Sequence, residues 1–201
     1  MLKIYITRHG ETEWNKENRM QGRLDSKLTG KGKRQAALLG ERLKATNFSR
    51  VISSPSHRAL STAHLIVGES QQSIETDARL MEIALGDWQG KTGDEIEELY
   101  PEQHHAYWND PEGYKNQHGE GFQDVVERVQ SFLKDLEGSA RGNVLLVTHG
   151  VVVKALYLIF RNASISDIWN PPFIHGTSLT VVENDHGIWK IVKEACLAHC
   201  E

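Results

Sequence analysis

Hydrophobic residues fall in short runs separated by stretches with a helical period. Leu2 to Thr7 is rich in β-branched and aromatic residues, as a buried strand requires. Behind Thr29, a side chain suited to cap a helix, Ala36, Leu39 and Leu43 recur at helical spacing. Arg50 to Ser53 reads as a second strand, the stretch Ser53 to Gly68 turns into a second helix, and Ser73 to Thr76 is a brief third strand. Further on, Phe122, Val125, Val129, Phe132, Leu133 and Leu136 make one apolar helix face. A strand at Val144–Thr148, a helix at Val151–Phe160 and two strands around Ser178–Glu183 and Trp189–Lys193 follow.

This βαβαβ order predicts an α/β fold, a three-layer sandwich whose mostly parallel central sheet is flanked by helices. Residues 91–121 break the pattern. They are polar and aromatic, with short helical segments at Glu95–Tyr100 and Gln103–Trp108, and read as a helical insertion or lid over the active site. A length of 201 residues at 39% hydrophobic suits one domain over 1–201. The net charge of −4, with basic residues spread along the chain, argues against nucleic-acid binding. No apolar run approaches the ~20 residues of a membrane span, and nothing resembles a signal peptide, so no membrane partner and a cytoplasmic location are expected. Cys196, His199 and Cys200 lack a fourth ligand and a rigid frame, which favours reduced thiols over a metal site.

Two strand ends look alike: MLKIYITRHG and NVLLVTHG. Ligands of open α/β sheets bind outside the carboxyl ends of strands, where loops lead into helices. If the two strands are neighbours, His9 and His149 face one crevice, and Gly10 and Gly150 let backbone amides approach a ligand. Arg8 adjoins His9, and Arg58 opens the helix after the second strand at the same sheet edge. Two guanidinium groups and two imidazoles there describe a phosphate pocket.

The motifs T-R-H-G-E-T-E-W-N from Thr7, Q-G at Gln21, L-T-x-x-G-x-x-Q-A from Leu28, S-S-P-x-x-R-A from Ser53, E-I-x-L-G-D-W-Q-G from Glu82 and V-T-H-G from Val147 cover nearly the whole chain. In this order they resemble the histidine phosphatase superfamily, which contains cofactor-dependent phosphoglycerate mutases and small phosphatases. The resemblance implies that His9 is a nucleophile that becomes phosphorylated, its other ring N–H accepted by backbone near Gly10. It implies that Arg8, Arg58 and His149 bind the transferring oxygens, and that Glu82 protonates the leaving alkoxide and later deprotonates water. Asn15, Gln21, Gly22 and Gly150 are expected to contact substrate, Gln21 from the rim. Glu11 and Asp87 are the rival carboxylates, read as a loop or rim residue and a turn residue.

No metal or cofactor is expected, because arginine and histidine supply the positive charge. His57, His64, His104, His105 and His118 read as surface residues, whereas His175 is a candidate for the pocket wall. Tyr107, Trp108, Tyr114 and Phe122 are candidates for an apolar wall, and the insertion as a whole should set specificity. The short insertion resembles the small, broad-specificity phosphatase branch of the bacillus type, acting on small phosphate esters as a monomer or homodimer. A phosphoglycerate mutase and a catalytically silent phosphate-binding module are the alternatives. One departure is Gly119-Glu120-Gly121, where relatives often have G-E-S.

Overall fold

The computed structural model describes residues 1–70 and 72–200. Among these residues six strands form one sheet: β1 (Leu2–Arg8), β2 (Phe48–Ser53), β3 (Ile74–Thr76), β4 (Gly142–Thr148), β5 (Leu179–Asp185) and β6 (Ile188–Cys196), in the order β3-β2-β4-β1-β5-β6. The pairs β3–β2, β2–β4 and β4–β1 are parallel, while β5 runs antiparallel to both β1 and β6. The mostly parallel sheet expected from the alternation is therefore present, with a hairpin added at one edge.

Among the described residues seven α-helices accompany it: α1 (Glu13–Lys16), α2 (Gly30–Leu43), α3 (His57–Val67), α4 (Gly93–Leu99), α5 (Pro101–Asn109), α6 (Phe122–Ser139) and α7 (Gly150–Arg161). Thr29 caps α2 by accepting a hydrogen bond from the Gly32 amide at 2.9 Å. The short α1 is absent from the periodicity because a single turn has no repeat to detect. Its signal is local: Thr12 and Asn15 form a reciprocal capping box.

Alternation along the strands divides the interior into two cores, one per sheet face. Leu145 and Val147 of β4 pack with Ala36, Leu39 and Leu43 of α2 and with Ala59 and Ala63 of α3. Val144 and Leu146 face the other way, onto the apolar stripes of α6 and α7. Among the described residues no helix is long and apolar enough to cross a membrane.

The insertion joins the second core through aromatic rings. Tyr107 lies 5.4 Å from Trp88, 5.0 Å from Tyr114, 5.0 Å from Phe122 and 5.1 Å from Trp169, centroid to centroid. Tyr107, Tyr114 and Phe122 are thus core residues rather than an apolar pocket wall; of the four candidates only Trp108 reaches a cleft. The inward face of α5 explains this, because Tyr107 points to the core and its neighbour Trp108 to solvent. Phe122→Ala should cost about 3–5 kcal/mol in urea unfolding, and Trp108→Ala about 1 kcal/mol or less. Equal losses would contradict this division.

Candidate active site

The register of β1 on β4 pairs Arg8 with Thr148, and the His9 amide donates to the Thr148 carbonyl at 2.9 Å. His9 and His149 therefore leave adjacent parallel strands at the same level. Their rings meet edge to face, with centroids 5.2 Å apart. Ser53, the last residue of β2, pairs with Val147, which brings Arg58 on the first turn of α3 to the same edge.

His9 is buried, and its Nδ1 lies 2.8 Å from the Gly10 carbonyl. A carbonyl only accepts, so Nδ1 carries the proton and Nε2 keeps its lone pair. Arg58 Nε donates to that Nε2 at 3.2 Å. Burial first, then the Arg58 and Arg8 guanidinium groups, push the imidazole well below the usual histidine range. Gly10 does not open room for a ligand. A Cβ there would sit 2.6 Å from the Gly32 carbonyl oxygen of α2, and its amide donates to Thr62 Oγ1 at 3.0 Å. The glycine serves the close packing of two backbones.

Arg58 is only 1% exposed. Its Nη1 donates to the Leu24 carbonyl at 2.6 Å and to Asp25 Oδ1 at 2.9 Å, and its Nη2 donates to the Gly22 carbonyl at 2.7 Å. With Nε on His9, one N–H on Nη2 is left for a ligand. Gly22 has φ +54°, and a side chain there would run into Gln89, so glycine is required to aim that carbonyl. Asp25 also accepts from the amides of His57 and Arg58, which caps α3 from a distant loop.

His149 is fully buried, with Nε2 held 2.8 Å from Ser54 Oγ and 3.2 Å from Ser56 Oγ. Its Nδ1 and the Nε of Arg8 are buried with no hydrogen-bond partner among the described residues. Arg8 spends one donor, Nη1, on the Ile174 carbonyl at 2.8 Å. Burial, then Arg58, His9 and Arg8, hold His149 well below the histidine range. Glu82 accepts from the Ile83 amide at 3.0 Å and from the Val151 amide of α7 at 3.3 Å. A Cβ on Gly150 would lie 3.8 Å from both Glu82 Oε2 and Arg8 Cζ, an ordinary contact, so space alone does not demand glycine there. Burial, then Glu82, keep the Tyr107 phenol protonated beneath the pocket.

A cleft of about 750 Å³ opens beside Arg8, lined among others by Glu11, Asn15, Lys31, Trp108, Phe173 and His175. Asn15 uses its carbonyl oxygen on Thr12 and leaves Nδ2 without a partner among the described residues. Gln21 is buried rather than on a rim. Glu11 is tied to Thr29 and Lys31, and Asp87 to His118. Glu120 accepts from the Ala84 amide and from Arg128, bracing the loop after Glu82. Sequence reasoning missed Asp25, Ser54, Ser56 and Thr62. Only the serines had a visible signal, hydroxyls directly after a strand that ends at the pocket.

The family model for the histidine phosphatase superfamily, branch 1, matches residues 4–196. The chain belongs to that superfamily. The solved structure of Bacillus stearothermophilus YhfR superposes with a TM-score of 0.97 at 42% identity, over 100% of both chains. Phosphoserine phosphatase 1 of Hydrogenobacter thermophilus is 33% identical over 85% of this chain and 81% of its own. A probable phosphoglycerate mutase of Salmonella arizonae is 36% identical over 78% of this chain and 73% of its own.

The two depressed histidines of this superfamily member make its stability pH-dependent. The unfolded chain takes up protons first, near the ordinary value of 6.5, so their contribution is complete above that pH and falls as pH drops below it. The slope approaches about 1.4 kcal/mol per pH unit per histidine. In urea unfolding between pH 7 and 5, His149→Asn should flatten the loss; an unchanged profile would contradict a buried neutral His149.

Proposed function

We propose that the protein hydrolyses small phosphomonoesters without a metal, through a phosphohistidine on His9. The observation that carries this reading is the state of His9: Nδ1–H is fixed on the Gly10 carbonyl, and Nε2 is unprotonated and faces the guanidinium of Arg58. The Nε2 lone pair attacks phosphorus as the ester P–O bond breaks, and Glu82 gives the leaving oxygen its proton. Water then attacks the phosphohistidine, Glu82 takes the proton, and the P–N bond breaks.

The transferring oxygens are held by the unspent donors of Arg8, the free N–H of Arg58, and His149, whose unpartnered Nδ1 carries the proton in this reading while its Nε2 rests on two serine hydroxyls. Asn15 Nδ2 adds a neutral donor from the cleft wall. These groups supply the charge that a divalent cation would otherwise bring, and the nucleophile, both arginines and the acid are all retained, against a silent binding module. The protein is a phosphatase and a hydrolase, as its superfamily and its phosphatase relatives support over a mutase. Broad specificity for small esters is the reading favoured by the open cleft and the short insertion.

Phosphate release from a panel of phosphomonoesters should resist excess chelator and vanish in His9→Ala. Glu82→Gln should lower turnover about 10²–10⁴-fold while still accumulating an acid-labile, alkali-stable phosphoryl adduct. Interconversion of phosphoglycerates that outruns hydrolysis when bisphosphoglycerate is supplied would instead make the mutase the main activity, and unchanged turnover in His9→Ala would sink the mechanism.

A further inference from the structure

Cys196 and Cys200 are both free and half-buried, and Cys200 lines the cleft. Cys196 ends β6 just after a bulge, where Ala195 has φ +38°. Arg42 Nη2 donates to its Sγ at 3.3 Å, and Arg42 Nη1 lies 3.3 Å from His199 Nδ1. A turn closed by the Cys200 amide on the Leu197 carbonyl at 2.7 Å brings the chain back, so that Leu197 and Cys200 line the same cleft as Arg8 and His175. Thr177 supports this turn: its Oγ1 lies 3.3 Å from His199 Nε2 and 3.8 Å from Cys200 Sγ. Thr177 itself has φ +58° and donates its amide to the Arg8 carbonyl at 3.0 Å. The three soft side chains do not converge on a metal, since Cys196 and His199 lean on Arg42 while Cys200 leans on Thr177. They form a thread from an arginine-supported sulfur to the backbone of a phosphate-pocket arginine.

We propose that Cys196 and Cys200 form a thiol–disulfide switch in the wall of the substrate cleft, closed by low-mass disulfides such as oxidised glutathione. The assignment of the cleft to substrate rests on the phosphatase reading; the thiol chemistry does not. The Ala198 amide and Arg42 hold the Cys196 thiol below its ordinary range, which makes it a source of thiolate. The Cys196 thiolate attacks one sulfur of the low-mass disulfide, whose S–S bond breaks and releases one small thiolate. Cys200, losing its proton to water, then attacks the Cys196 sulfur of the mixed disulfide and expels the second small thiolate. Two protein thiols are oxidised, one small disulfide is reduced to two thiols, and the protons end on those thiols. Closing the bond draws Cys200 off Thr177 and rebuilds the turn that lines the cleft. His9 and its partners stay in place, so the effect falls on substrate binding.

The test treats the full protein with oxidised glutathione, then reads intact mass and ester hydrolysis. The wild type should lose two hydrogens and show a KM several-fold higher with kcat little changed, both restored by dithiothreitol. Cys200→Ser should stop at one glutathione adduct, and Cys196→Ser should stay unmodified over the same time. No disulfide, an adduct forming first on Cys200, or a disulfide that leaves KM unmoved would each overturn the proposal. Ester hydrolysis by the untreated wild type is scored separately: its absence overturns the phosphatase reading, while the mass readout still decides the thiol pair.

Discussion

The contact between Arg58 and His9 sets the state of the whole pocket. Burial, and then a guanidinium 3.2 Å from an imidazole nitrogen, make protonation of that ring costly, and the Gly10 carbonyl decides which nitrogen keeps the remaining proton. A neutral ring with its lone pair on Nε2 is the form that can attack phosphorus. Burying a cation without partners would cost several kcal/mol, so the fold surrounds Arg58 with the carbonyls of Gly22 and Leu24 and the carboxylate of Asp25. The loop over Gln21–Asp25 is shaped around that one side chain, which explains why Gly22 adopts a left-handed conformation and why Asp25 doubles as the cap of α3.

The sheet supplies the rest. Placing β4 between β2 and β1 puts three carboxyl ends side by side, so residues 8, 9, 58 and 149 meet without any of them being close in sequence to all the others. Arg8 and His149 keep unpaired polar atoms in a buried place, a condition that a bound oxyanion relieves. The aromatic cluster of the insertion fixes the floor near Glu82 through Tyr107, and Trp108, Phe173 and His175 stand at the mouth of the cleft. In the proposed reaction, chemistry and selectivity fall to different layers: strand ends for the phosphate, loops and the insertion for the remainder of the ester.

Much of this could be read from the chain. Strands buried on both faces announce themselves as apolar runs, and the matched ends at His9 and His149 are visible because each histidine directly follows its strand. Arg58 was visible for the same reason, one turn after β2. Asp25, Ser54, Ser56 and Thr62 were not, because each acts on a partner brought near by the fold: Asp25 reaches across 33 residues to Arg58, and Ser54 across 95 to His149. The glycine at position 10 was legible as special but for the wrong cause, since the backbone that presses on it belongs to α2. The aromatic residues of the insertion misled for a related reason: a polar segment hides how many rings it turns inward.

Nitrogen-15 NMR of the histidine side chains tests the central claim most directly. The account predicts that in the free protein His9 is neutral at pH 7, protonated at Nδ1 and bare at Nε2, and that it stays so well below pH 6.5. An Nε2–H tautomer, or an imidazolium already present near pH 6.5, would contradict it.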